Sequence, residues 1–485
     1  MITLMLDDLI KERLRKLEEI KNGGLDAYPP SVKRTFDIAE AHAKFGELSA
    51  AKKKLFLAGR LTSLRDQGNI SFLDLADESG KIQIVFKKDV LPKFDFWKGV
   101  LDIGDFVEAG GVLFKTQKGE ESLEVHDVRI LTKSLRPIPS EWYGVSDIET
   151  RLRKRYLDLL ANIETRELFR KKAVFWQTIR NFMIKQGFLE VWTPVLENIP
   201  GGADAEPFVT HHNALDRDFY LRISLELPLK RLLVGGYDKV FEIGRLFRNE
   251  GIDREHLQEY DDMEFYWGYA DYKDGMKLVE KLFKLIVKNV VGSMQTEHDG
   301  EKINWGAKWP KVDYFKTFKQ ETGLDLNKVS VEQLREKTQS LGVPVDAKLG
   351  KGRLIDAIYK KTMRPKLIQP CFLVGHPVEI SPLAKADQKN PKRVLRFQVV
   401  AAKSELGNGW SEVNDPQYQR MRFEEQMKLR EAGDKEAQMM DKDYVEALEY
   451  GMPPAVGFGV SERLFSVLMN KSMRETVIFP PMKEN

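Results

Sequence analysis

The chain has 485 residues, 42% of them hydrophobic and 31% charged, with 77 basic against 74 acidic side chains for a formal net charge of +3. That length exceeds one ordinary core and predicts two or three domains, while so even a balance does not by itself point to nucleic acid. The single cysteine, Cys371, excludes an intrachain disulfide framework and a cysteine-rich metal cluster, and no apolar run approaches the roughly eighteen residues that cross a bilayer, which argues against a membrane role.

At the N-terminus, MITLMLDDLIKERLRKLEEIKNGG breaks its apolar residues with acids and bases at helical spacing. It predicts an amphipathic helix and lacks the h-region of a signal peptide. Together with a lone thiol suited to a reducing compartment, this leads us to expect a cytoplasmic chain. Residues 1–54 are this helix and its lead-in. Over residues 55–133, LFLAGRLTSLRDQGNISFLDLADESGKIQIVFKKDVL predicts three short strands with turns at DQGN and ESGK, and DFVEAGGVLFKTQKGEESLEVHDVRIL supplies two more. Five short strands with glycine-containing turns predict a small barrel. Residues 134–163, two prolines followed by a charged helical stretch, read as a linker.

Residues 164–485 differ again. Leu168, Phe175, Ile179, Phe182 and Met183 recur at helical spacing, and Gly187 stands where a helix would be capped. FLEVWTPVL then turns strand-like, with Pro194 unable to donate to a central ladder and so expected at an edge or interface. Strand-like runs (DKVFEIGRLFR, DMEFYWGYA, PCFLVGHPVEI, RFQVVAAKSEL, AVGFGV) then alternate with helical ones such as residues 274–291 and 418–430. Without regular βαβ spacing, this predicts an α+β domain on a mainly antiparallel sheet flanked by helices.

The stretch FEIGRLFRNEGIDREHLQEYDDMEFYWGY, residues 241–269, reads as a hairpin. Alternation puts Glu242, Gly244, Leu246 and Arg248 on one side, and Tyr260, Asp262, Glu264 and Tyr266 together on the second strand. With both polar rows on one face, Arg248 is expected to face Glu264 and Tyr266 in a concave setting suited to a carboxylate or phosphate. Taken alone, the pattern equally describes a cross-strand ion pair beside a solvated loop.

With GFLEVWTPVLENIPGGADAEPF, YLRISLELPLKRLLVGG and VGFGVSERLF, the hairpin resembles the three signature motifs of class II aminoacyl-tRNA synthetases. EVWTP looks like the end of motif 1, the hairpin like motif 2 and GFGVSERL like motif 3. HPVEISPLAK and the run from GNGWSEVNDP to EALEYGMPP are similar to lysyl-tRNA synthetases of the bacterial type, and the similarity spans nearly the whole chain. The resemblance implies an N-terminal OB-fold that reads the anticodon and a catalytic domain that dimerises through motif 1. Its implied reaction is ATP-dependent ligation of L-lysine to tRNA(Lys) through a lysyl-adenylate. No P-loop pattern occurs, so ATP would have to be held without one.

The resemblance also implies roles. Arg248 would bridge the substrate carboxylate and the α-phosphate, and Arg463 would hold the γ-phosphate. His256 would lie near the phosphates, Tyr260 would stack on adenine where the family usually has Phe, and Glu250 would meet the adenine edge. Glu226 and the backbone at Gly202 would bind the α-amino group. Glu264, Tyr266 and Glu412 would surround the side-chain ammonium, with Asn408 assisting at the carboxylate and Trp410 packing the aliphatic stem. The family's two acidic Mg²⁺ ligands, seven residues apart, fall at Gln398 and Glu405, so one ligand is neutral here. Motif 3 has only Gly457 and Gly459 of three alternating glycines and is one residue short before Arg463. In the barrel, Phe72, Gln83 and Glu120 match anticodon-reading positions, where an aromatic stacks on a splayed base. Aspartyl or asparaginyl specificity is the near rival, opposed by the sign of Glu264 and Glu412. A catalytically weakened RNA-binding paralogue is the other alternative, motivated by Gln398 and the short motif 3.

Overall fold

The computed structural model describes residues 2–138, 147–251, 256–344 and 349–482. The chain divides into two compact units, residues 1–146 and 147–485. Within the span expected as a linker, 139–146 lie outside the described residues, and 147–161 carry two short helices in the second unit.

In the first unit, strands Leu55–Asp66, Ile70–Ala76, Lys81–Lys87, Phe106–Lys115 and Glu121–Thr132 close into a barrel. Alternation decides what faces inward. Leu73 and Leu75 are buried in the core, while Phe72 and Asp74 of the same strand are only partly buried on the outer face. A register shift at Gly110/Gly111 bends one wall, and only glycine fits there, since a Cβ on Gly111 would lie 1.9 Å from the Glu124 carbonyl oxygen. The N-terminal helix Ile2–Asn22 adds Leu17 and Ile20 to the barrel core. Beside it the ammonium of Lys133 is fully buried, donating to the Val100 carbonyl at 2.6 Å and to Asp102 and Asp105 at 2.6 and 2.8 Å.

The second unit is built on an eight-stranded sheet in the order Lys311–Asp313, Cys371–Val374, Arg396–Ala401, Ser404–Ser411, Ala455–Ser461, Glu259–Gly268, Lys239–Phe247, Leu189–Glu190. Its first and last pairs are parallel and the rest antiparallel. Phe241, Met263, Phe265, Phe397, Phe458 and Val460 bury one face against helices Ile163–Lys185 and Tyr272–Val291. Gly187, at φ +82°, ends the first helix, and the Phe188 N–H returns to the Met183 carbonyl at 3.1 Å. The opposite face therefore carries the polar half of each strand.

Two expected strands are shorter than predicted. Of FLEVWTPVL, only Leu189–Glu190 joins the large sheet, at its edge; beyond Val191, Thr193 turns its N–H and hydroxyl to the buried carboxylate of Glu242, at 2.9 and 2.7 Å. Glu242 demands those donors, and Pro194 has no N–H to continue a ladder. The strand through PCFLV stops at Val374, because Gly375 at φ +71° turns the chain away. Among the described residues no helix is long and apolar enough to cross a membrane.

Candidate active site

The polar face of the sheet floors a cavity of about 870 Å³. Cross-strand register sets two rows across that floor: Glu264, Gly459, Asn408, Gln398, and beside it Tyr266, Gly457, Trp410, Arg396. The two motif 3 glycines thus stand between the hairpin and the Ser404–Ser411 strand. A Cβ on Gly457 would come within 2.4 Å of the Tyr266 ring and 2.3 Å of Glu412 Oε1, so the floor stays open only with glycine there. The register from Asp262 to Gly268 against Ala455 to Ser461 runs without a shift, and Arg463, two residues on, lines the cavity. The shortened approach expected in motif 3 therefore does not carry Arg463 away from the site.

Acids crowd one end. Glu264 is buried, with Oε1 accepting from the Ser224 hydroxyl at 2.7 Å and the Leu225 N–H at 2.9 Å, and Oε2 from the Tyr266 hydroxyl at 2.8 Å. Glu226 opens the helix Glu226–Val234 and lines the cavity. Gly202, at φ +88°, lies so close that a Cβ would meet Glu226 Cβ at 2.8 Å, which brings its backbone against that acid. Glu412 does not line the cavity. It is buried behind Trp410, whose indole N–H donates to Oε2 at 2.9 Å, and its Oε1 has no hydrogen-bond partner. Burial raises the pKa of Glu226 and Glu412 above the usual carboxylate range, and Lys230 beside them opposes the rise.

Cations hold the other end. The hairpin ladder finishes at Phe247, so Arg248 stands across from Gln258, whose carbonyl accepts its N–H at 2.7 Å, and not directly across from Glu264. Its guanidinium packs 5.4 Å from the Tyr260 ring and reaches the Ile223 carbonyl at 3.4 Å, and its Nε has no hydrogen-bond partner among the described residues. Arg248 and Arg463 thus keep donors for an incoming anion. Asp262 lies on the same face, its carboxyl raised by burial and by Glu264, with Oδ1 unpartnered. Burial pushes the Tyr260 hydroxyl up to about 12, so it is neutral at ordinary pH. Glu250 and His256 line this end; residues 252–255 of the hairpin loop lie outside the described residues. Asn408 accepts from Arg396 at 2.8 Å through its Oδ1.

The pair expected to hold metal is unequal. Glu405 lines the cavity with Oε1 unpartnered among the described residues, whereas the Gln398 Oε1 already accepts from the Tyr359 hydroxyl at 3.3 Å. Among the described residues no group of three or more His, Cys, Asp and Glu side chains is placed to hold an ion by itself. That pair offers a hard cation one charged and one neutral oxygen, part of a shell.

In the barrel, Phe72 presents a partly buried ring on the outer face, opposite Arg65 and Val85. Gln83 is buried and donates to Glu120 Oε2 at 3.2 Å while accepting from the Ser122 hydroxyl at 3.1 Å. Arg60, whose charge could have met phosphate, lays its guanidinium 4.2 Å from the Phe106 ring.

Sequence reasoning did not single out Lys230, Ser224 or Arg396, all of which organise the site. For Lys230 a signal existed: it follows Glu226 by four residues, one helical turn. Asp262 was placed on the polar face but given no role.

Residues 56–131 match the family described as OB-fold nucleic acid binding domain, and residues 147–483 the family described as tRNA synthetases class II (D, K and N). The chain is similar to a lysine–tRNA ligase of Roseiflexus castenholzii, 44% identical over 484 residues that cover 99% of each chain. It is 43% identical to that of Moorella thermoacetica, covering 98% of each. With that of Fervidobacterium nodosum it shares 40%, over 98% of this chain and 94% of the relative.

Proposed function

The chain belongs to the class II tRNA synthetases (D, K and N), and from that premise we propose how its residues carry out the ATP-dependent ligation of L-lysine to tRNA(Lys). The carrying observation is the sign and burial of the pocket's acid end: Glu226, Glu264 and Glu412 are all buried around one region. Such a site stabilises ammonium groups, and it would repel the side-chain carboxylate of aspartate.

In the first step a lysine carboxylate oxygen attacks the α-phosphorus of ATP; the bond to the β-phosphate oxygen breaks and pyrophosphate leaves. Two anions must meet, so the work is positioning and charge stabilisation, with no enzyme nucleophile. Arg248 bridges the carboxylate and the α-phosphate, and Arg463 holds the γ-phosphate with His256 nearby. Tyr260 stacks on adenine and Glu250 reads its edge. Gly202 and Glu226 take the α-amino group, Glu264 and Tyr266 the side-chain ammonium, with Glu412 adding its charge from behind Trp410, and Asn408 turns its amide to the carboxylate while Trp410 covers the stem. A ribose hydroxyl of the tRNA terminus then attacks the lysyl carbonyl and AMP leaves.

Mg²⁺ would be held by Glu405, with Gln398 as a neutral oxygen, and would offset phosphate charge. Phe72, Gln83 and Glu120 serve the anticodon, the ring by stacking and the polar pair by reading edges. Ile184, Leu189, Trp192, Val195 and Leu196 are exposed around motif 1, an apolar surface that suits a homodimer contact. We place the enzyme in the cytoplasm, where tRNA and ATP are at hand.

The test is amino-acid-dependent exchange of pyrophosphate into ATP, with lysine, aspartate and asparagine. Lysine alone should support exchange, and Arg248→Ala should lower it by about 10²–10³-fold while tRNA binding is retained. Exchange with aspartate but not lysine would overturn the specificity.

A further inference from the structure

Lys230 takes no part in the steps above, yet it lies at the centre of the acid end. Its side chain is fully buried on the helix Glu226–Val234, and Nζ pairs both with Glu226, one turn earlier, and with Glu412, just past the end of the strand Ser404–Ser411. The rings of Tyr266 and Tyr444 stand 5.8 and 5.9 Å from Nζ, closing the ammonium in. Glu412 is in turn bonded to the Trp410 indole. One buried ammonium therefore ties a cavity acid, Glu226, to a cavity wall, Trp410, through Glu412.

Charge makes the arrangement specific. Lys230 is strongly held in its protonated form, because the attraction of Glu226 and Glu412 outweighs its burial. Glu226 and Glu412 meet at this one ammonium, and Glu264 is buried nearby. L-lysine brings two ammonium groups. Without Lys230 two carboxylates would converge with nothing between them, and at least one would take up a proton and lose its value to a cationic substrate.

We propose that Lys230 is a positioning residue for the amino acid, an internal ammonium that locks Glu226 to Glu412 and so fixes where the two acids stand toward L-lysine. This rests on the lysine reading given above. It makes the spacing between the two acids, and so the length of amino acid accepted, a property of a residue that the substrate never touches.

The experiment is pyrophosphate exchange with Lys230→Ala, Lys230→Met and Lys230→Arg in the full chain, following KM and kcat for L-lysine and for ATP separately. The Ala and Met variants should raise the KM for lysine at least tenfold while that for ATP stays within twofold. Lys230→Arg, which keeps the charge in a larger head, should recover part of the loss. In Lys230→Ala the vacated space between two carboxylates should admit methylammonium, and millimolar methylammonium chloride should lower the KM for lysine again. The same space should shift preference toward L-homolysine, one methylene longer, by at least tenfold relative to lysine. A lysine KM within twofold of the parent in the Ala and Met variants overturns the proposal. So does an equal loss for lysine and ATP with no rescue by methylammonium, which is what a merely structural residue would give. If the Ala and Met chains do not fold, Lys230→Arg decides: an unaltered lysine-to-homolysine ratio overturns it. Failure of the unaltered enzyme to use lysine would instead sink the underlying function.

Discussion

Tyr266 donates its hydroxyl proton to Glu264 Oε2 at 2.8 Å, from two positions further along the same face of the same strand. With the Ser224 hydroxyl and Leu225 N–H on Oε1, it holds the carboxylate in one orientation toward the cavity. A hydrogen bond to a charged group contributes about 1.5–3 kcal/mol. Tyr266→Phe should therefore raise the KM for lysine by about tenfold or more, with the KM for ATP little changed, as read by pyrophosphate exchange. An unchanged lysine KM would remove Glu264 from the ammonium site.

Gln398 bears on the metal requirement. Its amide oxygen is shared with Tyr359, and Glu405 alone supplies a carboxylate. Gln398→Glu adds a charge that a hard cation would meet, so the Mg²⁺ concentration giving half-maximal exchange should fall severalfold. A Mg²⁺ titration that superimposes on that of the parent would place position 398 outside the metal's shell.

Lys133 makes a stability prediction in the first unit. It has three oxygen acceptors and no exposure, and Asp105 beside it is equally buried. Lys133→Met would leave that acid uncompensated, at a cost of about 3–5 kcal/mol. Urea unfolding followed by a probe in the barrel should show its transition shifted to lower denaturant.

Glu197 has the opposite sign. Burial pushes its carboxyl up to about 8, and its Oε2 has no hydrogen-bond partner. The folded chain thus holds a proton that the unfolded chain releases near the ordinary value, so stability falls as pH rises from about 4.5 to about 8. Glu197→Gln should raise the melting temperature at pH 8–9 and leave it unchanged at pH 4. A gain of equal size at both values would rule out ionisation as the cause.

The hairpin was the most legible part of the site. Alternation alone assigned Glu264 and Tyr266 to one face and Phe265 to the other, and the ladder carries this through from Lys239 to Phe247. Arg248 was harder to place. A strand pattern extended one residue too far sets it opposite the acids, whereas the ladder ends at Phe247 and turns it onto Tyr260. Strand signal was likewise overread in VWTPV, because a buried Glu242 more than 40 residues away claims the donors of Thr193. No local pattern announces that claim.

Residue order was enough to divide the chain into a five-stranded barrel and an antiparallel α+β domain, since periodicities of two and 3.6 residues are local properties. Through the family resemblance it also named the acids and arginines expected of that chemistry. Tertiary structure alone decided which of them keep an open lone pair or donor. Glu242 spends its charge on Arg222 at 2.6 Å, Glu226 and Glu412 share Lys230, and Arg248 and Glu405 retain unpartnered atoms in the cavity. The physical reason is that a buried polar group is defined by its hydrogen-bond partners, and those arrive from segments that the sequence keeps far apart.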